Sequence, residues 1–83
     1  MIQIVFNEKE NRSIAYDNRR IVGECAFTDE GEKWNIIHTE VNQAYQGKGI
    51  ARKLVEKVLE NASKKQKKII ASCGYAQKII NEE

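Results

Sequence analysis

The 83-residue sequence contains no proline, a single histidine, and two cysteines that stand far apart, Cys25 and Cys73. A structural zinc site usually needs four cysteine and histidine ligands at short spacings, so this chain cannot assemble one locally, and we expect no bound metal. No apolar run reaches the roughly 18 residues that suggest a membrane-spanning helix, and the start shows no signal-peptide pattern. These absences predict a cytoplasmic protein with reduced thiols and no membrane partner.

Aromatic residues make up 7% of the chain and the net charge is +2, although charged residues reach 31%. Four lysines crowd into residues 64–68, either as a solvated loop or as a basic contact with phosphates. The aromatic residues do not alternate with these lysines as a stacking surface would require, so nucleic acid is the least favoured partner. A chain this short holds one core, and residues 1–83 are expected to form a single domain, as a monomer or weak homodimer.

The pattern of apolar residues changes once along the chain. Short β-branched and aromatic segments predict strands at residues 2–6, 13–16, 21–27 and 34–41, joined by polar turns into an antiparallel meander. Apolar residues then recur at the three- and four-residue spacing of a helix from 50 to 62. Residues 69–73 are predicted to form a fifth strand, parallel to the fourth, before a short helix within 75–80. The expected fold class is α+β.

The segment Gln46-Gly47-Lys48-Gly49-Ile50-Ala51 lies between the fourth predicted strand and the helix. Glycine permits close backbone approach, and a helix that begins here presents free N–H groups and the positive end of its dipole, which bind phosphate. The two glycines are equally suited to a plain strand-to-helix turn. The segment lacks the Gly-Lys-Ser/Thr ending of a Walker loop and the third glycine of a dinucleotide fold, so neither of those sites is predicted.

The spacing Gln46-x-x-Gly49-x-Ala51 resembles the Gln/Arg-x-x-Gly-x-Gly/Ala signature of the GNAT superfamily of N-acetyltransferases. Further stretches make the chain similar to the small single-domain GNAT-like proteins, namely His38-Thr39-Glu40-Val41, Leu54-Val55 and Cys73-Gly74-Tyr75. The resemblance implies a compact GNAT-like core that binds acetyl-coenzyme A. It also implies a pyrophosphate held by the amides of residues 47–51, and a pantetheine arm between the strands at 34–41 and 69–73.

The cofactor residues that the resemblance implies include backbone donors near the thioester, the glycine loop and two basic residues for the nucleotide phosphates. They are Thr39, Val41, Gln46, Gly47, Lys48, Gly49, Ile50, Ala51 and Arg52. Lys48 and Arg52 are assigned to the phosphates because both are expected in the first turn of the helix. An amide near residues 39–41 is implied to stabilise the thioester oxygen as it gains negative charge.

An amine must lose a proton before it attacks a thioester, and His38 is the first candidate base because histidine titrates nearest to neutral pH. Glu40 lies two residues further on the same face of the strand, where it could orient His38 or act as the base through a water. A strand histidine is also commonly just packed or hydrogen-bonded. The resemblance implies that Tyr75 protonates the departing coenzyme A thiolate, although Tyr75 would equally serve as a lid on the core.

Cys73 is expected at the end of the fifth strand, where His38 or a helix end could stabilise its thiolate as an acetyl-accepting nucleophile. A free cysteine is more often a small buried hydrophobe, which is the role expected of Cys25. The short turn at residues 7–11 replaces helices that wall the acceptor pocket in larger relatives, so the acceptor site should be open. The predicted function is acetyl transfer from acetyl-CoA to an unidentified amine, and an open site favours a bulky or protein-borne amine or a partner that completes the pocket. The alternative is a non-catalytic acyl-CoA-binding or sensing module.

Overall fold

The computed structural model describes residues 1–82. Its strands are β1 (Ile2–Asn7), β2 (Arg12–Asp17), β3 (Arg20–Asp29), β4 (Lys33–Val41) and β5 (Lys68–Ala71). Its helices are α1 (Ile50–Lys64) and α2 (Gly74–Glu82), and a single 3₁₀ turn (Gln43–Tyr45) follows β4. The fold is therefore α+β, as the sequence predicts.

The five strands form one sheet in the order β1-β2-β3-β4-β5. The first four pair antiparallel with their neighbours, and β5 pairs parallel with β4 after the crossover through α1. Only residues 8–11 separate β1 from β2. The predicted meander, the crossover helix, the parallel fifth strand and the terminal helix are all confirmed.

Two predicted positions are wrong. The fifth strand ends at Ala71 rather than at Cys73, because the amides of Ser72 and Cys73 both donate to the Ile36 carbonyl, at 3.0 and 3.2 Å, as the chain turns into α2. Lys48 lies before the helix rather than in its first turn. The helix begins at Ile50, because Gly49 adopts a left-handed conformation with φ of 80° that an α-helix cannot continue.

Both helices pack on one face of the sheet. The buried side of α1 consists of Ile50, Leu54, Val55, Val58 and Ala62. Ala76 and Ile79 of α2 join the same buried cluster, together with the inward residues of the strands. The buried Ser13 hydroxyl of β2 donates to the Leu54 carbonyl at 2.8 Å, which fixes α1 against the centre of the sheet. Neither helix in residues 1–82 combines the length and apolar character needed to cross a bilayer.

The opposite face of the sheet carries no helix within residues 1–82. Val5 of β1 and Ile70 of β5 point to this face and are 44% and 41% exposed. Only a short turn follows β1, as the sequence predicts, and whether the acceptor site is open stays a prediction. The name open face is used below for this side, and helical face for the side covered by α1 and α2.

Candidate active site

The loop between β4 and α1 leaves the first amides of α1 without a side-chain acceptor. Gly47 and Gly49 have φ values of 81° and 80°, which other residues adopt only with strain. A Cβ at either position would meet no described atom within 4 Å, so the backbone is accessible to a ligand. Gly49 is the N-cap of α1 and makes no side-chain capping bond. The free N–H groups and the helix dipole therefore form the kind of end that binds phosphate.

Side chains tie this loop to the sheet. The Tyr45 hydroxyl donates to Asp17 Oδ2 on β2 at 2.5 Å, and the Gln46 side-chain amide donates to the Val41 carbonyl at 3.2 Å. The Tyr45 hydroxyl is the main reason that the pKa of Asp17 lies below its ordinary value, and the same bond raises the pKa of Tyr45. Both bonds anchor the loop at the C-terminal end of the 3₁₀ turn, next to the glycines.

A groove of about 490 Å³ runs from this loop past the end of β4 to Tyr75 at the start of α2. The pairing of β4 with β5 ends at Ile36 and Ala71, so residues 37–41 of β4 have no β5 partner. The groove is lined by Thr39, Val41, Tyr45, Gln46, Gly47, Gly49, Ile50, Ala51 and Tyr75. The gap beside residues 37–41 lies where the sequence predicts it, but it opens because β5 ends at Ala71 rather than because two strands splay apart. Most of the predicted cofactor residues line one groove.

The two predicted phosphate-binding cations do not line this groove. The Lys48 ammonium lies 6.0 Å from the centroid of the Tyr45 ring. Arg52 pairs with Glu82 of α2 at 2.5 Å. Glu82 is 43% exposed and the contact of Lys48 with the Tyr45 ring is long, so neither contact prevents either cation from binding a phosphate. The lysine run at 64–68 lies at the other end of α1, where Lys65 pairs with Glu8 at 2.8 Å, which favours a solvated loop.

A β-bulge in β4 decides which side chains face the groove. Ala26 of β3 pairs with His38 and Phe27 pairs with Ile36, so Ile37 has no partner and the alternation of side chains shifts by one residue. Trp34 and Ile36, before the bulge, are buried under α1. After the bulge Thr39 occupies the helical face, and His38 and Glu40 occupy the open face. The prediction that His38 and Glu40 share a face is confirmed.

Cys73 lies at the start of α2 against Thr39. Its Sγ donates to Thr39 Oγ1 at 3.7 Å, and the Thr39 hydroxyl donates to Cys25 Sγ at 3.6 Å. Burial pushes the pKa of Cys73 upward, but hydrogen bonds to its thiolate from the Ala76 amide, the Thr39 hydroxyl and amide and the Tyr75 amide outweigh burial and lower it. Burial raises the pKa of Cys25 to about 11.

The geometry does not support the predicted contact between His38 and Cys73, because the bulge directs their side chains to opposite faces of β4. The helix-end alternative for stabilising the Cys73 thiolate agrees with the amide contacts of α2. Cys25 is fully buried, as expected of a core residue. Its high pKa keeps it protonated at neutral pH.

On the open face, His38 lies between two carboxylates. His38 Nε2 is 3.7 Å from Glu24 Oε2 on β3 and 3.7 Å from Glu40 Oε2. The other oxygen of Glu24, Oε1, accepts from the Arg12 guanidinium at 2.7 Å, and Arg12 also pairs with Glu10. The Arg12 guanidinium occupies only Oε1 of Glu24 and leaves Oε2 facing His38, and its positive charge disfavours a divalent cation beside these three side chains.

A second cavity of about 850 Å³ lies beside the cofactor groove. Its walls are formed by Arg12, Ile21, Val22, Gly23, Glu24, Thr39, Glu40, Val41, Asn42, Gln43 and Gln46. It shares Thr39, Val41 and Gln46 with the groove and carries the carboxylates of Glu24 and Glu40. His38 is not part of its wall but contacts both carboxylates. The two cavities meet across β4.

Three residues of the site were missed by sequence reasoning. Tyr45 was treated only as one of the scattered aromatics, and its place in the groove depends on the 3₁₀ turn. Glu24 faces Glu40 only because β3 and β4 pair in that register, and Arg12 reaches Glu24 from β2. The sole signal available in the sequence was the alternation along residues 21–27, which places Glu24 and Cys25 on opposite faces.

The sequence model of the GCN5-related N-acetyltransferase family matches residues 12–83. The chain therefore belongs to this family. It is 40% identical over 48 residues to Protein NATD1 of Gallus gallus and, equally, of Homo sapiens. These matches cover 58% of this chain but only 44% and 42% of the relatives, so the chain spans less than half of their length.

Solved structures confirm the fold. A GCN5-like protein from Staphylococcus aureus superposes with a TM-score of 0.72 at 29% identity, over 96% of this chain and 78% of that chain. A GCN5-related N-acetyltransferase from Sphaerobacter thermophilus gives 0.70 at 23% identity, over 75% and 21%. A GNAT family acetyltransferase from Elizabethkingia anophelis, solved with acetyl-CoA bound, gives 0.68 at 20% identity, over 86% and 50%.

Proposed function

We propose that this protein transfers the acetyl group of acetyl-CoA to an amine. The observation that carries the proposal is the meeting of two cavities at Thr39, Val41 and Gln46, one lined by free helix amides and the other by carboxylates. A donor with a diphosphate suits the first, and a cationic amine suits the second. Membership of the N-acetyltransferase family supports the same reaction.

In this proposal the cofactor lies along the groove. The amides of residues 47–51 hold its pyrophosphate at the start of α1, where the helix dipole favours negative charge. The pantetheine arm follows the gap beyond Ile36 and Ala71, where β4 has backbone groups that β5 does not use. An amide of residues 39–41 then faces the thioester carbonyl, and a preorganised donor of this kind contributes about 3 to 4 kcal/mol in enzymes that use one.

The acceptor enters from the open face. His38 and Glu40 remove a proton from the ammonium, and the neutral amine attacks the thioester carbon. The carbon–sulfur bond breaks as the amide bond forms, coenzyme A leaves as a thiolate, and the nitrogen releases a second proton, which restores Tyr75 after it has protonated the thiolate. Tyr75 lines the groove and supplies the proton for that thiolate. Since no helix within residues 1–82 covers this face, a lysine or N-terminal amine of a protein can reach the site as readily as a small amine.

The covalent alternative uses Cys73 as the first acetyl acceptor. Its lowered pKa and its position at the end of the β4–β5 gap favour a thiolate. In that route Cys73 attacks the thioester, coenzyme A leaves, and the amine then attacks the acetyl-cysteine. We favour direct transfer, because the proton-accepting groups are on the open face and Cys73 is on the helical face.

Calorimetry and mass spectrometry test the proposal together. Acetyl-CoA should bind saturably to the wild-type protein. Gly49→Val should weaken that binding by about fivefold or more, because a β-branched residue in the left-handed region costs about 1–3 kcal/mol. Gly31→Val is the matched control, since Gly31 also has a positive φ, of 91°, but lies far from the groove. Equal loss in both variants would contradict the assigned loop.

The reaction itself is measured as coenzyme A released in the presence of spermidine, an aminoglycoside, or a peptide with a free N-terminus and a lysine. Acetylated amine with unmodified protein supports direct transfer. The covalent route is supported if the wild-type protein gains the mass of one acetyl group and Cys73→Ala does not. Saturable binding with no acetylated amine would instead favour the second candidate, a non-catalytic acyl-CoA-binding module, whose motivation is the uncovered face.

A reducing compartment suits the two free thiols, and we extend the proposal to a cytoplasmic location. Fractionation of cells that express the tagged protein tests this directly. Recovery with the membrane or secreted fraction would contradict it.

A further inference from the structure

Glu24 is the least exposed carboxylate near His38. Its side chain is 27% exposed, against 71% for Glu40 and 49% for His38. Arg12 bonds one oxygen of Glu24 at 2.7 Å and is itself held by Glu10 at 2.7 Å. The other oxygen of Glu24 is left facing His38. Glu24 is therefore the carboxylate held by an ion pair, and Glu40 is the more exposed one.

Both carboxylates approach the same ring nitrogen. Glu24 Oε2 and Glu40 Oε2 each lie 3.7 Å from His38 Nε2, and neither approaches through Nδ1. A carboxylate accepts hydrogen bonds and cannot donate one when ionised, so it favours the tautomer with a proton on the nearer nitrogen. Contacts of this kind are often long in the absence of substrate and shorten when substrate binds.

We propose that Glu24, held by Arg12, is a positioning residue that keeps the proton of neutral His38 on Nε2 and leaves Nδ1 as the proton acceptor. The charged groups facing His38 are Glu24 from β3 and Glu40 from β4, with Arg12 of β2 one strand further away. A histidine oriented by a carboxylate both presents the correct nitrogen and gains stability when it becomes imidazolium. This role rests on the proposed function, in which His38 takes the proton of the amine.

The first test determines which nitrogen of the His38 ring carries the proton, and it does not depend on catalysis. Long-range ¹H–¹⁵N correlation spectra of the single histidine report which nitrogen is protonated at a pH where the ring is neutral. Wild type should show the proton on Nε2, with a wide separation between the two nitrogen shifts. Glu24→Gln should narrow that separation, because glutamine offers a donor as well as an acceptor. Arg12→Gln should narrow it less, since Glu24 remains but is no longer held.

Glu60→Gln is the matched control, because it removes one carboxylate from α1 on the other face of the sheet. It should leave the ring shifts unchanged. If His38 of the wild type carries its proton on Nδ1, the proposal is overturned. It is also overturned if Glu24→Gln leaves the separation between the two ring-nitrogen shifts unchanged. Retained amide spectra establish that each variant is folded.

The second test uses the amine that is acetylated fastest among spermidine, the aminoglycoside and the peptide. Glu24→Gln should lower kcat about 10- to 100-fold, the range seen when a carboxylate that orients a histidine is removed from metal sites, with KM for acetyl-CoA unchanged. If the wild type acetylates the amine and Glu24→Gln has the same kcat, the proposed role of Glu24 is wrong while the proposed function is supported. If no amine is acetylated, the proposed function fails, and the ring spectra alone decide whether Glu24 positions His38.

Discussion

The two faces of β4 hold different chemistry although their residues alternate along one strand. On the helical face, Thr39 contacts two thiols and lines the cofactor groove. On the open face, His38 lies between the carboxylates of Glu24 and Glu40. A single strand thus separates the groups suited to a thioester from the groups suited to an ammonium. The bulge at Ile37 sets which side chains of residues 38–41 point to each face of β4. It therefore decides which residues can contact a thioester and which can contact an ammonium.

Replacing His38 should cause the largest loss of kcat. This variant tests whether a side chain on the open face removes the proton of the amine. His38→Gln should lower kcat for amine acetylation about 10²- to 10⁴-fold, because general base catalysis contributes that much. Its affinity for acetyl-CoA should not change, since the cofactor lies on the other face. Calorimetry and steady-state kinetics measure the two quantities separately.

Cys73→Ala is the counterpart of this variant on the helical face. In direct transfer it should retain kcat within about tenfold of wild type, a loss smaller than that expected for a general base. Abolished transfer in Cys73→Ala together with near-normal transfer in His38→Gln would reverse the assignment of the two faces. The covalent route through Cys73 would then be the better account.

Much of this arrangement could be predicted from the sequence, for reasons tied to particular residues. The β4–α1 loop was predictable because Gly47 and Gly49 are the residues that tolerate a left-handed backbone between a strand and a helix. The helix at 50–64 was predictable from its apolar period. The face occupied by His38 was not, because a bulge shifts the alternation by one residue and leaves no distinctive residue type in the sequence.

Contacts between residues far apart in the sequence could not be predicted either. Glu24 meets His38 through the register of β3 against β4, and Asp17 meets Tyr45 across 28 residues. The apolar residues before Cys73 predict that it continues the strand. In the structure the amides of Ser72 and Cys73 both donate to the Ile36 carbonyl, and the chain turns there instead. Register and turns of this kind depend on tertiary packing, which a single sequence does not display.

The two thiols offer a sharper comparison within the helical face. Iodoacetamide should label Cys73 at neutral pH and spare Cys25, whose pKa of about 11 leaves roughly a hundredfold less thiolate than an ordinary cysteine. The rate for Cys73 should rise with pH and level off below the ordinary cysteine pKa. Mass spectrometry of peptides after timed quenching measures both rates.

Thr39→Val keeps the shape of the side chain but removes the hydroxyl, which accepts from the Cys73 thiol and can donate to Cys73 once the thiol ionises. It should raise the pKa of Cys73 and slow labelling at neutral pH, while Thr28→Val, at the exposed end of β3, should not. Acetyl-CoA should protect Cys73 from labelling. Equal labelling of both thiols in the native protein would show that Cys25 is accessible, contrary to its burial.

The smallest expected effect concerns the bond that anchors the cofactor loop to β2. The Tyr45 hydroxyl lowers the pKa of Asp17 in the folded protein, so this bond stabilises the fold when Asp17 is ionised. The contribution is present above the unfolded pKa of an aspartate, about 3.9, and is lost as the pH falls through the lower folded pKa. Tyr45→Phe should therefore be less stable than wild type near pH 7, and the difference should vanish in acid. Urea unfolding across that range measures it, with Tyr16→Phe as the control, and a difference independent of pH would assign the loss to packing rather than to the bond with Asp17.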